Sequence, residues 1–379
     1  MDSNFSLKPQ IYTNEARPKL RKKDLIISIN TGDGFKKNKI LGASDASVIY
    51  CLDPNFHPLS WKPYRICEHV ENVTDFEINF LNNSILIIGG KSINGRSLSS
   101  IMSLNISTSN TIWHVDTEMI PSRYGCAVAI EGSRFVITGG CQCLGLDKDF
   151  EDFQEMLLCE RVQLTKQVGN DGYIKYLTEH GPLFTTDILE KERVLRCVEI
   201  LDEGVKWEWL QPLPFSLMNH AVAFHQGIVY ISGGQLIPGG PALHLTLEFN
   251  ENSKKWVEKS NMLISRAGHR LISYDMFLLA VGGEWQISGR WSPVYFIEKY
   301  DVVRNDWSIL TCVQNPRSHL GTVLYFHKLF VVSGYKKEKS EFVMETDIFD
   351  LMTKRWYEGP IYPSKHKPKC LIITENRYD

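Results

Sequence analysis

Short runs of β-branched and aliphatic residues recur along the chain, and four of them end in a pair of glycines. The runs are ILIIGG (85–90), FVITGG (135–140), VYISGG (229–234) and LLAVGG (278–283). Altered copies with fewer glycines are FVVSGY (330–335) and LIISINTG (25–32). Apolar runs of this length that stop at glycine are typical of buried β-strands rather than of helices. The pattern therefore predicts a repeated strand that ends in the same kind of turn.

A tryptophan follows each run. The six are Trp61, Trp113, Trp207, Trp256, Trp307 and Trp356, separated by 52, 94, 49, 51 and 49 residues. Four of the five steps are close to 50 residues, and the long one is about 45 residues over this period. In three units an aromatic residue precedes the tryptophan by seven positions, namely Phe249, Tyr300 and Phe349, and Asn or Asp follows it. Another strand-like run lies upstream of each glycine pair. We therefore predict units of four short strands, with turns at Asp33-Gly34 and Asn94-Gly95.

A four-stranded sheet with apolar residues on both faces cannot bury both of them alone, but blades stacked around an axis can. The glycines allow close backbone approach near that axis, and the tryptophans can pack against a neighbouring blade. The run CLIIT (370–374) after the last tryptophan lacks a glycine strand of its own, whereas LIISIN (25–30) lacks an inner strand. We predict an all-β, six-bladed propeller of four antiparallel strands per blade. Blade 1 is closed by pairing of the C-terminal strand with residues 25–29, which removes a free edge.

The predicted propeller spans residues 24–379, after a lead-in segment at 1–23. Blade 3 carries an insertion at about 141–192, between its glycine pair and its next strand. Within it, Phe150, Phe153 and Leu157 recur at helical spacing opposite acidic residues. Two interpretations stay open: an amphipathic helix that caps the mouth of the propeller or docks a partner, and an irregular surface loop.

Charge and composition exclude several classes of protein. The chain has 42 Lys and Arg against 44 Asp and Glu, a net charge of −2, without the basic excess of a nucleic-acid-binding protein. No apolar run approaches the ~20 residues that span a bilayer, and the N-terminus lacks the apolar stretch of a signal peptide. We predict a cytoplasmic protein with reduced cysteines and with neither nucleic acid nor membrane as a partner.

The glycine pair, the aromatic–Asp pair and the tryptophan, repeated with a period near 50, resemble the kelch repeat over about 25–374. This resemblance implies a protein-interaction module that binds a peptide segment of a target protein at the mouth of the propeller. In BTB–kelch proteins such a domain is the substrate receptor of a cullin-type ubiquitin ligase, in the ubiquitin-conjugation pathway. The basic lead-in RPKLRKK is similar to the junction with the BTB part, which is absent from these 379 residues. The chain is expected to be either the kelch domain of such a protein or a kelch-only protein. The alternative function is actin binding or scaffolding.

The resemblance also implies two ligand-contacting loop positions, one before each inner strand and one after each glycine pair. The first position gives Arg123, Tyr124, Asn219, His220, Arg266, Arg317 and Ser318. The second gives Lys91, Gln235, Glu284, Trp285 and Lys336.

The three arginines are the candidates for recognition of a carboxylate. Arg123 and Arg266 lie 16 residues before the first glycine of their blades. Arg317 lies 17 residues before Gly334, so its equivalence requires one extra residue in blade 6. We expect the three guanidinium groups to form a rim that binds carboxylates. The open alternative is that they pair with loop acids or turn carbonyls. Trp285 is either an apolar anchor for the ligand or a side chain packed on the rim.

Catalysis finds little support in the sequence. His220, His269 and His319 occupy nearly equivalent positions before three inner strands, which would suit a metal as in galactose-oxidase-like copper enzymes. No Tyr–Cys pair in suitable register accompanies them, and Cys141-x-Cys143 lacks a second ligand pair. Phosphate-loop, hydrolase-elbow and zinc-protease motifs are also absent. We predict a protein that is not an enzyme, with no catalytic residue, no metal and no cofactor.

Overall fold

The computed structural model describes residues 37–43, 48–55, 58–67, 73–108, 112–119, 121–143, 192–202, 206–287, 290–364 and 367–375. The predicted lead-in at 1–23, the run at 25–32, the turn at Asp33-Gly34 and the interior of the blade 3 insertion lie outside the described residues.

The described strands form six four-stranded antiparallel sheets and two two-stranded ribbons. Blade 1 contains β1 (Lys37–Ala43), β2 (Val48–Leu52), β3 (Lys62–Ile66) and β28 (Lys369–Glu375). Blade 2 contains β4 (Glu77–Leu81), β5 (Ser84–Ile88), β6 (Ser100–Asn105) and β7 (His114–Glu118). Blade 3 contains β8 (Ala127–Glu131), β9 (Arg134–Thr138), β12 (Val198–Asp202) and β13 (Lys206–Trp209), with the ribbon β10 (Cys141–Cys143) and β11 (Glu192–Val194).

Blade 4 contains β14 (Ala221–His225), β15 (Ile228–Ser232), β16 (Thr246–Asn250) and β17 (Lys255–Glu258). Blade 5 contains β18 (Arg270–Tyr274), β19 (Phe277–Val281), β22 (Phe296–Asp301) and β23 (Asp306–Cys312), with the ribbon β20 (Glu284–Ile287) and β21 (Arg290–Pro293). Blade 6 contains β24 (Gly321–Tyr325), β25 (Lys328–Lys336), β26 (Glu341–Asp350) and β27 (Arg355–Glu358). A short 3-10 helix, Lys337–Lys339, links β25 to β26, and no helix in the described chain is long and apolar enough to cross a bilayer.

The six blades close into a ring, as predicted. Each inner strand contacts the next one around the axis in the order β4, β8, β14, β18, β24 and β28, and β28 also contacts β4. The last strand of the chain therefore completes blade 1, the first blade. The all-β, six-bladed prediction and the closure by the C-terminal strand are confirmed.

The predicted partner of that closing strand was wrong. β28 pairs with β1, in a register that runs from Lys37↔Glu375 to Ala43↔Lys369, and not with residues 25–29. Ile40 and Leu41 of β1 are fully buried, so this run provides the apolar centre of the sheet. In the sequence, Ser44-Asp45 follows β1, whereas a glycine pair follows the corresponding strand in blades 2 to 5. Without glycines to mark this run, the sequence pattern pointed to the longer apolar run upstream.

The glycine pairs exist because the backbone of the next blade lies against them. A Cβ on Gly139 would stand 2.3 Å from the Leu217 carbonyl oxygen, which leaves no room for a side chain. The next glycine, Gly140, donates its N–H to the same carbonyl at 2.8 Å. Blade 4 repeats both features with Gly233, Gly234 and the Arg266 carbonyl. Each pair is thus a backbone contact between neighbouring blades.

Blade 6 keeps this geometry with one glycine. Ser333 has φ 46, in the left-handed region that the first glycine of a pair occupies elsewhere, and Gly334 takes the second position. β24 pairs with β25 as Gly321↔Val332, so Ser333 stands where other blades have their first glycine. Arg317 lies 16 residues before Ser333, the same spacing as in blades 3 and 5, and the extra residue counted in the sequence is not needed. The position after the pair in blade 6 is therefore Tyr335, and Lys336 is one residue further along the chain.

Tryptophan side chains form hydrogen bonds to the preceding blade. Trp307 of blade 5 donates its indole N–H to Thr246 Oγ1 of blade 4 at 3.1 Å. Trp61 of blade 1 reaches Thr346 of blade 6 in the same way, at 3.2 Å. The aromatic residue seven positions earlier is the cross-strand partner, as in Tyr300↔Trp307, with ring centroids 5.0 Å apart. The predicted role of tryptophan as a contact between blades is confirmed at these positions.

Candidate functional site

Both predicted loop positions lie at the same end of the propeller. In blades 3 to 6, isolated β-bridges join a residue three positions before the inner strand to the residue after the glycine pair or its counterpart: Tyr124↔Cys141, Met218↔Gln235, Ala267↔Glu284 and Ser318↔Tyr335. Because the two positions pair in blade after blade, they surround one mouth of the central channel. We call this end of the propeller, with its two sets of loops, the mouth face.

The three arginines lie beneath the mouth face and do not form a rim on it. Arg123 and Arg266 are 0% exposed and Arg317 is 1% exposed. Each forms an ion pair with a carboxylate on the third strand of its own blade: Arg123 with Glu199, Arg266 with Glu298, and Arg317 with Asp347. The prediction that they bind a ligand's carboxylate is corrected, because a partner cannot reach these guanidinium groups in the folded blade.

Backbone carbonyls accept further hydrogen bonds from these guanidinium groups. Arg266 donates to the carbonyls of Ala280 and Gly282, at 3.3 and 3.0 Å. Arg317 donates to the Ser333 and Val331 carbonyls, both at 2.7 Å. Through these hydrogen bonds and ion pairs, the planar guanidinium group connects the turn before the inner strand to the second and third strands of the blade. This arrangement is the alternative that the sequence left open for these residues.

A network of ion pairs crosses the channel below the mouth. Arg270 of blade 5 reaches Glu77 of blade 2, which lies opposite in the ring, at 3.0 Å, and Lys369 of blade 1 approaches the same carboxylate at 2.6 Å. Lys367 pairs with Asp75 at 3.2 Å. Burial disfavours ionisation of Glu77, but the charges of Arg270 and Lys369 outweigh burial and hold its pKa below the ordinary value.

The adjoining cavity is lined by Gly125, Asn219, His220, Gly268 and His269 and leaves about 30 Å³ for a solvent molecule. That is room for one or two waters. The ion pairs and the small cavity leave no room for a peptide chain in this part of the channel.

The channel histidines are contacts between blades. His220 Nε2 lies 2.7 Å from Thr138 Oγ1 of blade 3, and His269 Nε2 lies 2.9 Å from Ser232 Oγ of blade 4. Leu320 takes the equivalent place in blade 6, and His319 lies one position before it, so the three histidines are nearly but not fully equivalent. Among the described residues, no group of three or more His, Cys, Asp and Glu side chains could hold a metal. Burial raises the pKa of the Cys126 and Cys141 thiols to about 12, which disfavours the reactive thiolate.

Acid is expected to destabilise the propeller through these histidines. Burial lowers the pKa of His220 from 6.5 to about 4, so the unfolded chain binds a proton below pH 6.5 that the folded chain binds only near pH 4. Stability therefore falls as the pH drops through this window. The variant H220Q should reduce the loss of unfolding free energy between pH 7 and pH 5 by about 1–2 kcal/mol.

Urea denaturation at both pH values measures this effect. H244Q, at an exposed position, is the matched control and should leave the loss unchanged. An identical loss in H220Q and the parent protein would contradict the assignment.

Most of the remaining candidates pair with one another at the mouth. Tyr124 donates its hydroxyl to Glu192 at 2.7 Å, and the Lys91 ammonium lies 3.6 Å from the centre of the Tyr124 ring. Ser318 donates to Glu284 Oε2 at 3.0 Å, and both side chains are buried.

Asn219 donates its amide to Gln235 Oε1 at 3.0 Å, and Gln235 is also buried. These contacts hold the mouth loops in place. Trp285 and Lys336 are the candidates whose side chains form no hydrogen bond or ion pair within the described chain.

The mouth loops of blades 4, 5 and 6 also carry apolar side chains that the sequence reasoning did not select. Leu236 and Ile237 of blade 4 are 45% and 44% exposed, and Phe342 of blade 6 is 37% exposed. Trp291 lies in the β20–β21 ribbon under the Lys337 ammonium, which is 3.8 Å from its ring centre. We call Leu236, Ile237, Trp285, Trp291 and Phe342 the mouth ledge. Counting two or three residues beyond each glycine pair would have identified Leu236 and Ile237.

The loops of the mouth ledge support one another. Gln286 of the blade 5 ribbon donates its amide to the Gly239 carbonyl in the blade 4 loop, at 3.4 Å. β21 contacts the 3-10 helix of blade 6, and the Tyr335 and Phe342 rings lie 5.0 Å apart. Loops from blades 4, 5 and 6 therefore form one continuous surface.

The blade 3 insertion also leaves from the mouth face. Its two ends pair as the β10–β11 ribbon, from Cys141↔Val194 to Cys143↔Glu192. Ser97 of blade 2 donates its backbone N–H to the Cys143 carbonyl at 2.8 Å, so the neighbouring blade holds the base of the insertion. The described part of the insertion is thus a β-ribbon beside the channel.

Comparison with known proteins agrees with this architecture. Kelch-like protein 36 of Rattus norvegicus is 25% identical over 160 residues, which is 42% of this chain and 26% of that protein. Kelch-like protein 41b of Danio rerio is 22% identical over 223 residues, or 57% of this chain and 36% of that protein. Alpha-scruin of Limulus polyphemus is 26% identical over 162 residues, or 41% of this chain and 17% of that protein. The chain thus matches about a third or less of the length of these relatives.

Among solved structures, that of YjhT superposes with a TM-score of 0.60 at 13% identity, covering 84% of this chain and 91% of that one. No family model matches the chain. The repeats, the six closed blades and these relatives show a kelch-repeat propeller that resembles the kelch-like proteins. Together they support a protein-interaction domain.

Proposed function

We propose that this chain is a protein-recognition module that binds a segment of a target protein on its mouth face, by binding alone and without catalysis. The observation that carries the proposal is the mouth ledge, which exposes large apolar side chains from three neighbouring blades on loops that support one another. Aromatic and large aliphatic side chains grouped in this way are the usual anchors of protein interfaces. The ion pairs across the channel restrict the partner to this outer surface.

The target is proposed to be captured for a cullin-type ubiquitin ligase in the cytoplasm. The likeness to kelch-like proteins supports this setting, and the thiols of Cys67, Cys126 and Cys141, which form no disulfides, support a reducing compartment. The second candidate is an actin-binding or scaffolding role, which the likeness to alpha-scruin favours. The two roles differ in the surface they need, since a scaffold can also use the outer strands of the blades.

Substitutions on the mouth ledge are expected to abolish capture of the partner. The full chain is expressed in cells with a tag, its neighbours are crosslinked, and the amount of each recovered protein is compared between variants. I237D and F342D each place a charge in the apolar surface and should reduce recovery of the specific partner at least about tenfold. The matched controls are V303D and M352D, which alter exposed apolar residues in turns at the opposite end of the blades (77% and 66% exposed).

The result also separates the two candidate roles. A recovered partner whose abundance in cells rises when cullin activity is blocked, and whose recovery is lost in I237D, supports the ligase role. Co-sedimentation with filamentous actin that I237D and F342D leave intact would favour the scaffolding role instead. Equal recovery of every partner by the ledge variants and the controls would contradict recognition at the mouth face.

A further inference from the structure

Three residues occupy one equivalent position in three consecutive blades, two residues after the glycine pair or its counterpart. They are Leu236 in blade 4, Trp285 in blade 5 and Lys336 in blade 6. Leu236 is 45% exposed, and Trp285 and Lys336 are half-buried. The same position holds the small Ser92 in blade 2 and the fully buried Gln142 in blade 3. The mouth face therefore changes from apolar to aromatic to cationic between blades 4 and 6.

The cationic end of this line forms no close ion pair. Glu341 faces Lys336 in the β25–β26 register, yet Lys336 forms no ion pair with any described residue. Burial and the charges of Lys339 and Arg317 lower the pKa of Lys336, and they outweigh the carboxylates of Glu341 and Glu345, which raise it. A half-buried ammonium without a close ion pair is stabilised by an anion that approaches from outside.

The two apolar residues, Leu236 and Trp285, lie on loops that are hydrogen-bonded to each other. The hydrogen bond from Gln286 to the Gly239 carbonyl connects the ribbon that bears Trp285 to the loop that bears Leu236. Loops held in place in this way lose little conformational entropy when a ligand binds, which favours affinity. Large apolar side chains on supported loops are the features of a binding hot spot.

We propose that Leu236, Trp285 and Lys336 bind one extended peptide segment of the partner, which places large apolar side chains on blades 4 and 5 and a carboxylate on blade 6. This inference rests on the proposed function and names the chemistry of its partner. The apolar contacts supply most of the affinity, whereas the carboxylate sets the direction in which the segment crosses the blades.

A library of random peptides displayed on phage, selected on the immobilised full chain, tests the proposal. We expect enrichment of peptides that carry two large apolar residues and an Asp or Glu. The most enriched peptide is then synthesised, and its affinity is measured by fluorescence polarisation. The variants L236D, W285A and K336E should each weaken binding at least about tenfold. Replacing the acidic residue of the peptide by Lys should restore its binding to K336E.

S92D, at the equivalent position in blade 2, is the matched control and should bind the peptide within about twofold of the parent chain. Thermal melts that match the parent show that each variant is folded. The proposal is overturned if no peptide is enriched, or if the enriched peptide binds L236D, W285A and K336E as tightly as the parent. In the latter case the mouth-face function still stands if I237D and F342D lose the cellular partner, so the two failures can be told apart.

Discussion

Removing residues 367–379 is expected to abolish cooperative folding of the propeller. The deletion removes β28, which leaves β1 without its inner neighbour and opens a gap between β24 and β4. Buried Ile40 and Leu41 would then face solvent on an unpaired edge, which is a template for aggregation. Asp75 and Glu77 would also lose the ammonium groups of the C-terminal segment. Circular dichroism melts and size-exclusion chromatography should show no sharp transition and a largely aggregated chain.

A shorter deletion provides the control. Removing residues 376–379 keeps the whole of β28 and should leave the melting temperature within a few degrees of the parent. Addition of a synthetic peptide of residues 365–379 to the truncated chain should restore part of the transition, because the missing strand can pair with β1 in trans. A chain without β28 that melts like the parent would show that the ring does not depend on this closure.

The variant R266M is expected to lower the free energy of unfolding by about 3–5 kcal/mol. It removes the partner of Glu298, which is itself 0% exposed, and so leaves a buried carboxylate without its opposite charge. The carbonyls of Ala280 and Gly282 lose their guanidinium donor as well. Equilibrium denaturation in urea measures the change, read from the midpoint and slope of the transition.

Arg304 in the same blade offers a matched control. It is 84% exposed, and its Nε lies 3.8 Å from Asp301. R304M should change stability by less than about 0.5 kcal/mol, as is usual for surface ion pairs. Adding E298L to R266M should recover part of the loss, because the unpaired charge is then gone. If R266M proves no more damaging than R304M, the pair does not hold the blade together.

The functional site was harder to predict than the fold. Arg123, Arg266 and Arg317 stand in equivalent places, as the spacing indicated, but the spacing could not show that Glu199, Glu298 and Asp347 meet them inside the blades. These carboxylates lie 30 to 76 residues away in the chain. Trp285 and Lys336 were chosen for their place beside the glycine pairs, whereas Leu236 and Phe342 emerged only once exposure was known.

The sequence by itself determined the repeat, the number of blades and the closure by the C-terminal strand. These features follow from local patterns of apolar residues, glycine and tryptophan, which recur because every blade meets the same neighbours. Only the tertiary structure decided that β28 pairs with Lys37–Ala43, that Ser333 replaces a glycine, and that Arg270 and Glu77 span the channel. Each of these depends on contacts between distant parts of the chain. Such contacts also decide whether a charged side chain faces a ligand or a buried partner. They produce no repeating pattern in the sequence from which this could be predicted.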